Sequence, residues 1–393
     1  MPSPLLAEDA AHRQHSNAMS QVPALQAVPD GIINLADHEG HARQRMDDNA
    51  WAYFSGGAAD ERSLAANRSA WDALTLWPRV LRPLAGGHTR LQLLGRELAC
   101  PLLVAPMAFQ RMAHEDAELA TAYAAAALGA GMVLSTQASL PLETVAQAAR
   151  LTPGHGPLWF QLYLQHDRGF TMQLVKRAEA AGYEALVLTV DAPTSGVRDR
   201  ERRARFCLPP GVSAVNLQGM APLAAMQLAP GQSPLFDGLL HHAPTWDDVA
   251  WLQQQTRLPL LLKGVLHPAD ALQAARLGVA GIIVSNHGGR TLDTAPATAT
   301  ALARVARAVR GAGHELPLLA DGGIRRGTDV LKAIALGATA VLIGRPVLWG
   351  LANAGAAGVA HVLRLLRDEL EIAMALTGCA TLAQATVELL DTE

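Results

Sequence analysis

A chain of 393 residues that is half hydrophobic, only 17% charged and carries 34 glycines can bury a large core, so a disordered protein is excluded and one large domain is expected. A net charge of −3 with dispersed Lys and Arg leaves no basic face for nucleic acid. Cys100, Cys207 and Cys379 stand far apart without a CxxC pair, which argues against zinc or a disulfide framework and reads as buried thiols in a reducing compartment.

Residues 1–30 have neither the basic start nor the apolar core of a secretory signal, and no later stretch reaches the roughly 18–20 apolar residues of a membrane span. A cytoplasmic protein is expected, with 1–30 a disordered tail, 31–385 the domain and 386–393 a C-terminal tail. From Asn34 to Ala52 the pattern is helical and runs into Trp51-Ala52-Tyr53-Phe54-Ser55-Gly56-Gly57, where the glycine pair ends the helix. Beyond Gly95, short apolar runs alternate with alanine-rich helical stretches. The runs 101–105, 132–135, 158–162, 185–190, 258–263, 281–285, 316–320 and 340–343 read as strands. Helices are predicted near 116–129, 141–150, 170–181, 245–256, 268–277, 297–311, 327–336 and 355–373. This alternation predicts a (β/α)8 TIM barrel with an N-terminal helical segment, a doubly wound sheet being second choice. The long connection after the fourth strand, 192–244, with its run of arginines and Pro209-Pro210-Gly211, reads as a mobile lid.

Barrel chemistry gathers at the carboxyl ends of the strands. Polar residues fall there repeatedly: Ser135, Gln161 and Tyr163, Thr189 and Asp191, Lys263, Ser285 and His287, Asp321, and Arg345. A lone strand-end Ser or His is usually structural. Their repetition around a ring argues for a site. In Ser285-Asn286-His287-Gly288-Gly289-Arg290 a base and a carboxylate-binding cation share one glycine-rich turn, which suits an enzyme acting on a small acid. Asp321-Gly322-Gly323-Ile324-Arg325-Arg326-Gly327 and Ile343-Gly344-Arg345-Pro346 end the last two strands in glycine turns with arginines, the pattern of a barrel phosphate site.

These motifs, with Ala105-Pro106, Gln161-Leu162-Tyr163, Leu188-Thr189-Val190-Asp191-Ala192-Pro193 and Leu262-Lys263-Gly264-Val265, resemble the FMN-dependent α-hydroxy-acid oxidase and dehydrogenase family in order from about residue 30 to 385. The resemblance implies FMN across the barrel mouth. Arg325, Gly344 and Arg345 would meet its phosphate, with Gly322 and Gly323 in the same turn, and Asp321 the ribityl chain. Pro106, Met107, Ala108, Ser135, Gln161 and Thr189 would surround the ring, Lys263 would lie at its N1 edge, and Ser285 would sit on the flavin side. It also implies that Arg290 and Tyr53 hold the substrate carboxylate, with Tyr163 and Arg198 completing the pocket. His287 would be the base, with Asp191 pairing with the imidazolium and raising its pKa. The implied reaction oxidises a small L-2-hydroxy acid to the keto acid, with O2 reoxidising the flavin to give H2O2, in a homotetramer or octamer. A dehydrogenase passing electrons to a quinone, another FMN barrel enzyme and a non-catalytic FMN-binding barrel are the alternatives.

Gln137 stands where glycolate-type members commonly carry an aromatic residue, and Met107 where some have threonine, which leaves glycolate, lactate and mandelate open. Ala108 resembles the oxidases more than the mandelate dehydrogenases. No fused haem domain is expected, which argues against a cytochrome-linked enzyme.

Overall fold

The computed structural model describes residues 23, 25–223 and 227–391; residues 1–22 and 24 of the expected N-terminal tail lie outside the described residues. Nearer the domain, Gln26 Nε2 lies 3.1 Å from His114 Nε2, so this part of the expected tail touches the body. The predicted first helix is two, α1 (Leu35–Arg45) and α2 (Asp48–Ser55). Met46 is extended, and the Asp47 carboxylate accepts the Ala50 N–H at 2.7 Å, capping α2 and turning the chain. A third helix, α3 (Arg62–Ala73), follows.

After a short strand β1 (Thr75–Leu76) comes an antiparallel hairpin, β2 (Leu91–Leu93) and β3 (Arg96–Leu98). Eight parallel strands then close a barrel: β4 (Leu102–Val104), β5 (Gly131–Leu134), β6 (Leu158–Leu162), β7 (Ala185–Thr189), β8 (Leu260–Val265), β9 (Gly281–Val284), β10 (Leu318–Ala320) and β11 (Ala340–Ile343). Around it lie α4 (Ala117–Ala127), α5 (Leu142–Arg150), α6 (Arg168–Ala181), α7 (Asp199–Arg203), α8 (Trp246–Gln255), α9 (Pro268–Arg276), α10 (Thr298–Gly311), α11 (Gly327–Ala335) and α12 (Arg345–Leu376).

The strands are apolar throughout because both faces are buried. Leu103, Val133, Trp159, Val187, Leu261, Ile283, Leu319 and Leu342 point inward and pack together. Their neighbours Leu102, Val104, Leu134, Phe160, Leu186 and Leu262 join the outer core beneath the helices. Leu93 and Leu98 complete the inner core. Arg96 ties their hairpin to Glu184 and to the His155 carbonyl, just before β7 and β6, so the hairpin closes the amino-terminal mouth. The opposite mouth is left for ligands.

Helix α12 begins ten residues before the predicted 355–373 helix and has non-helical backbone at Ala354 and Gly355. It is the one helix among the described residues long and apolar enough to cross a membrane, but 83% of that window is buried inside the fold, as befits a core helix. The expected C-terminal tail is not free at 387–391. Leu389 and Leu390 are buried, and β12 (Leu390–Asp391) pairs antiparallel with β1, because a Leu-Leu pair finds an open strand edge to cover. Cys100 and Cys379 are buried, but Cys207 is exposed in the long connection, contrary to the expectation of three buried thiols.

Candidate active site

A cavity of about 680 Å³ opens at the carboxyl mouth. It is lined by Tyr53, Tyr163, Arg198, His287 and Arg290 together with Pro106, Met107, Ala108, Ser135, Gln161, Thr189, Lys263, Asp321, Gly322, Gly323, Arg325, Gly344 and Arg345. Of the predicted residues only Asp191 and Ser285 do not line it. Leu217, Leu223, Leu239, His242, Ala243 and Pro244 of the long connection also line it. That connection is anchored: Asn216 is buried, accepting the Leu142 N–H and donating to the Leu140 carbonyl.

His287 follows β9 in left-handed backbone, φ 57°. Its N–H donates to Ser285 Oγ at 3.0 Å, and Lys263 Nζ donates to the same oxygen at 3.1 Å. Ser285 therefore supports the base and the lysine from behind. Asp191 Oδ1 lies 2.9 Å from His287 Nδ1, which leaves Nε2 as the ring nitrogen available to a ligand. A register shift in β8 between Lys263 and Val265 places Gly264 at φ 107°, where any Cβ would collide with Asp191. The bulge thus brings the carboxylate and the lysine to one side of the barrel mouth.

Burial pushes the His287 pKa below the ordinary imidazole value, outweighing the upward pull of Asp191. Pairing alone had suggested a raised pKa; desolvation wins, and the resting ring is neutral and ready to accept a proton. Burial alone would raise Asp191, but the His287 ring and then Lys263 hold it below the usual carboxylate range. Lys263 would be lowered by burial, yet Asp321 and Asp191 keep it raised and charged, with Asp321 Oδ2 at 3.3 Å. Burial pushes the Tyr163 hydroxyl up to about 12, so it stays protonated and able to donate.

Arg290 donates from Nη1 to the Tyr53 and Gly56 carbonyls, and its guanidinium lies over the Tyr53 ring at 4.9 Å. Arg198 donates to the Arg290 carbonyl. Two residues missing from the sequence reading complete this side. Phe206 stacks on Tyr53 with centroids 4.7 Å apart, and Glu201 accepts from both Arg198 and Arg290. The one available signal for Glu201 was its spacing three residues after Arg198. Behind the site, Asn67 and Asn286 exchange two buried hydrogen bonds of 2.8 Å, joining α3 to the His287 turn. Gly323 admits no Cβ because the Asn67 backbone fills that space, so its glycine is set by packing of α3.

The residues fit FMN. Ser135, Gln161 and Thr189 form a hydrogen-bonded row across three strand ends that can meet a flavin edge. Asp321 Oδ1 is buried without a protein partner, as a ribityl hydroxyl would require. Burial lowers Arg325 to about 10 and Arg345 to about 9, a cost that a phosphate dianion would offset. Arg345 is also held by the protein: Nε, Nη1 and Nη2 donate to the carbonyls of Phe54, Gly288 and Gly56. These bonds fasten α2 to the His287 turn.

The FMN-dependent dehydrogenase family profile matches residues 42–392. The chain belongs to that family. As an FMN-dependent dehydrogenase family member it takes FMN as cofactor. It is 51% identical over 363 residues to an L-lactate oxidase of Roseobacter sp. (strain GAI101), covering 92% of this chain and 96% of that protein. It is 46% identical over 364 residues to glycolate oxidase 1 of Zea mays, with 92% and 96% covered. A solved structure of a mandelate oxidase variant with (S)-mandelic acid superposes with a TM-score of 0.81 at 41% identity, covering 92% of this chain and 98% of that one.

Proposed function

We propose that this protein is an (S)-2-hydroxy-acid oxidase that converts a small L-2-hydroxy acid, lactate first among them, and O2 into the 2-keto acid and H2O2. The observation that carries the reading is that His287 and Arg290, three residues apart on one turn, face the same cavity as the flavin-type residues. FMN, when bound, supplies the two-electron acceptor that no side chain provides. Arg290 and Arg198, with the Tyr53 and Tyr163 hydroxyls, would bind the substrate carboxylate. His287 Nε2 would take the proton released from the substrate, whether from the α-carbon or from the hydroxyl, and Asp191 would stabilise the resulting imidazolium. The lid residues Leu217, Leu223 and Leu239 would exclude water from the reacting centre.

Lactate is favoured by the 51% identity to an L-lactate oxidase and by a lining with Gln137 and Met107 in place of a further aromatic wall. The reading includes a cytoplasmic location and a homo-oligomer, a tetramer or octamer. The test is oxygen uptake and peroxide yield with L-lactate, glycolate and (S)-mandelate. The proposal expects one peroxide per O2 consumed and the highest kcat/KM for L-lactate. Substrate-dependent reduction of a quinone without peroxide would replace it by the dehydrogenase reading.

A further inference from the structure

We infer that Glu201 is a positioning residue that sets the net charge of the carboxylate clamp and so restricts it to acids with a single carboxylate. Glu201 Oε1 accepts from Arg198 Nη1 and from Arg290 Nη2, each at 3.1 Å. The three side chains retain only 15%, 20% and 14% of their exposure, respectively, so their charges act on one another with little screening. Two facing guanidiniums would repel, and Arg198 does depress Arg290 after burial has done so. With Glu201 between them the group carries one net positive charge, which a single substrate carboxylate neutralises. The nearby Arg200 is balanced separately by Glu61. Arg290 Nη1 is committed to backbone carbonyls and one Nη2 hydrogen to Glu201, so Nε and the second Nη2 hydrogen remain for a ligand. Glu201 therefore fixes which donors the clamp presents as well as its charge.

The inference rests on the 2-hydroxy-acid reading of the clamp, and its test uses binding without turnover. Propionate and malonate differ by replacement of one methyl with a second carboxylate. Each is titrated into the FMN holoenzyme and followed by the change in flavin absorbance. The parent protein should bind propionate more tightly than malonate. Glu201→Gln should shift the propionate-to-malonate Kd ratio towards malonate by about tenfold or more, because the second carboxylate gains one unbalanced cation. Glu201→Asp keeps the charge and should leave the ratio within about threefold of the parent. Parallel weakening of both acids in Glu201→Gln would mean a purely geometric role and overturn the inference. So would a parent protein that prefers malonate, an outcome that decides the matter even if Glu201→Gln does not hold flavin. Failure of the parent to bind either acid would remove the clamp reading as well, which separates that failure from an unmoved ratio.

Discussion

Replacing Asp191 by asparagine keeps the side chain's size and removes its charge. Asp191 Oδ1 is 2.9 Å from His287 Nδ1, both side chains are largely shielded, and Oδ2 has no protein partner. When His287 takes the substrate proton, an imidazolium forms beside this carboxylate. At about 4 Å between charge centres and an effective dielectric near 20, the attraction is about 4 kcal/mol. Asparagine keeps a neutral hydrogen bond, so a loss of about 3 kcal/mol remains, roughly 100-fold in rate. The pH dependence has a defined sign. Asp191 pulls the His287 pKa upward against burial, so its loss lowers that pKa further and keeps the ring neutral to lower pH. The acid limb of kcat/KM should therefore move to lower pH while the plateau falls. Stopped-flow flavin reduction across pH measures both quantities. A loss of less than about fivefold, or an acid limb displaced to higher pH, would refute the role given to Asp191.

Other consequences are as direct. Gly264→Ala places a Cβ against Asp191 in backbone of φ 107°, and should retain FMN while cutting kcat by about tenfold or more; parental turnover would show that the bulge does not position the carboxylate. His38 is fully buried beside Asn353 and 3.0 Å from His361, and burial, then His361, lowers its pKa from 6.5 to about 4. The unfolded ring takes up a proton below about pH 6.5 and the native ring does not, so stability should be complete above that pH and fall by up to about 3 kcal/mol towards pH 4. His38→Gln should flatten this slope in urea-unfolding midpoints, and an unchanged slope would assign the acid loss elsewhere.

The barrel was legible because its physics is local. A strand buried on both faces must be an unbroken apolar run, and Leu158–Leu162 and Ala340–Ile343 are bounded as read. The ring of polar residues at the strand ends was legible for the same reason, since the boundary of a buried run marks the mouth of the barrel. Features that depend on distant partners were not. Nothing in Leu390 announces that it pairs with Leu76, and the break between α1 and α2 hides inside a pattern that continues across Met46. That Ser285 Oγ accepts from both the His287 N–H and Lys263 Nζ is likewise a choice of direction that residue order does not contain. Glu201 lies in an arginine-rich run, and only folding sets it between Arg198 and Arg290. The sign of the His287 shift was also beyond sequence, because it depends on how deeply the ring is buried.

The central claim is that this turn removes a proton from a 2-hydroxy acid poised against FMN. Anaerobic mixing of the holoenzyme with L-lactate tests it most directly. The parent protein should lose its oxidised-flavin absorbance within a single turnover, and His287→Ala should hold flavin but bleach slower by about 1,000-fold or more. A parent protein that no 2-hydroxy acid bleaches, or a His287→Ala variant that bleaches at the parental rate, would contradict the account.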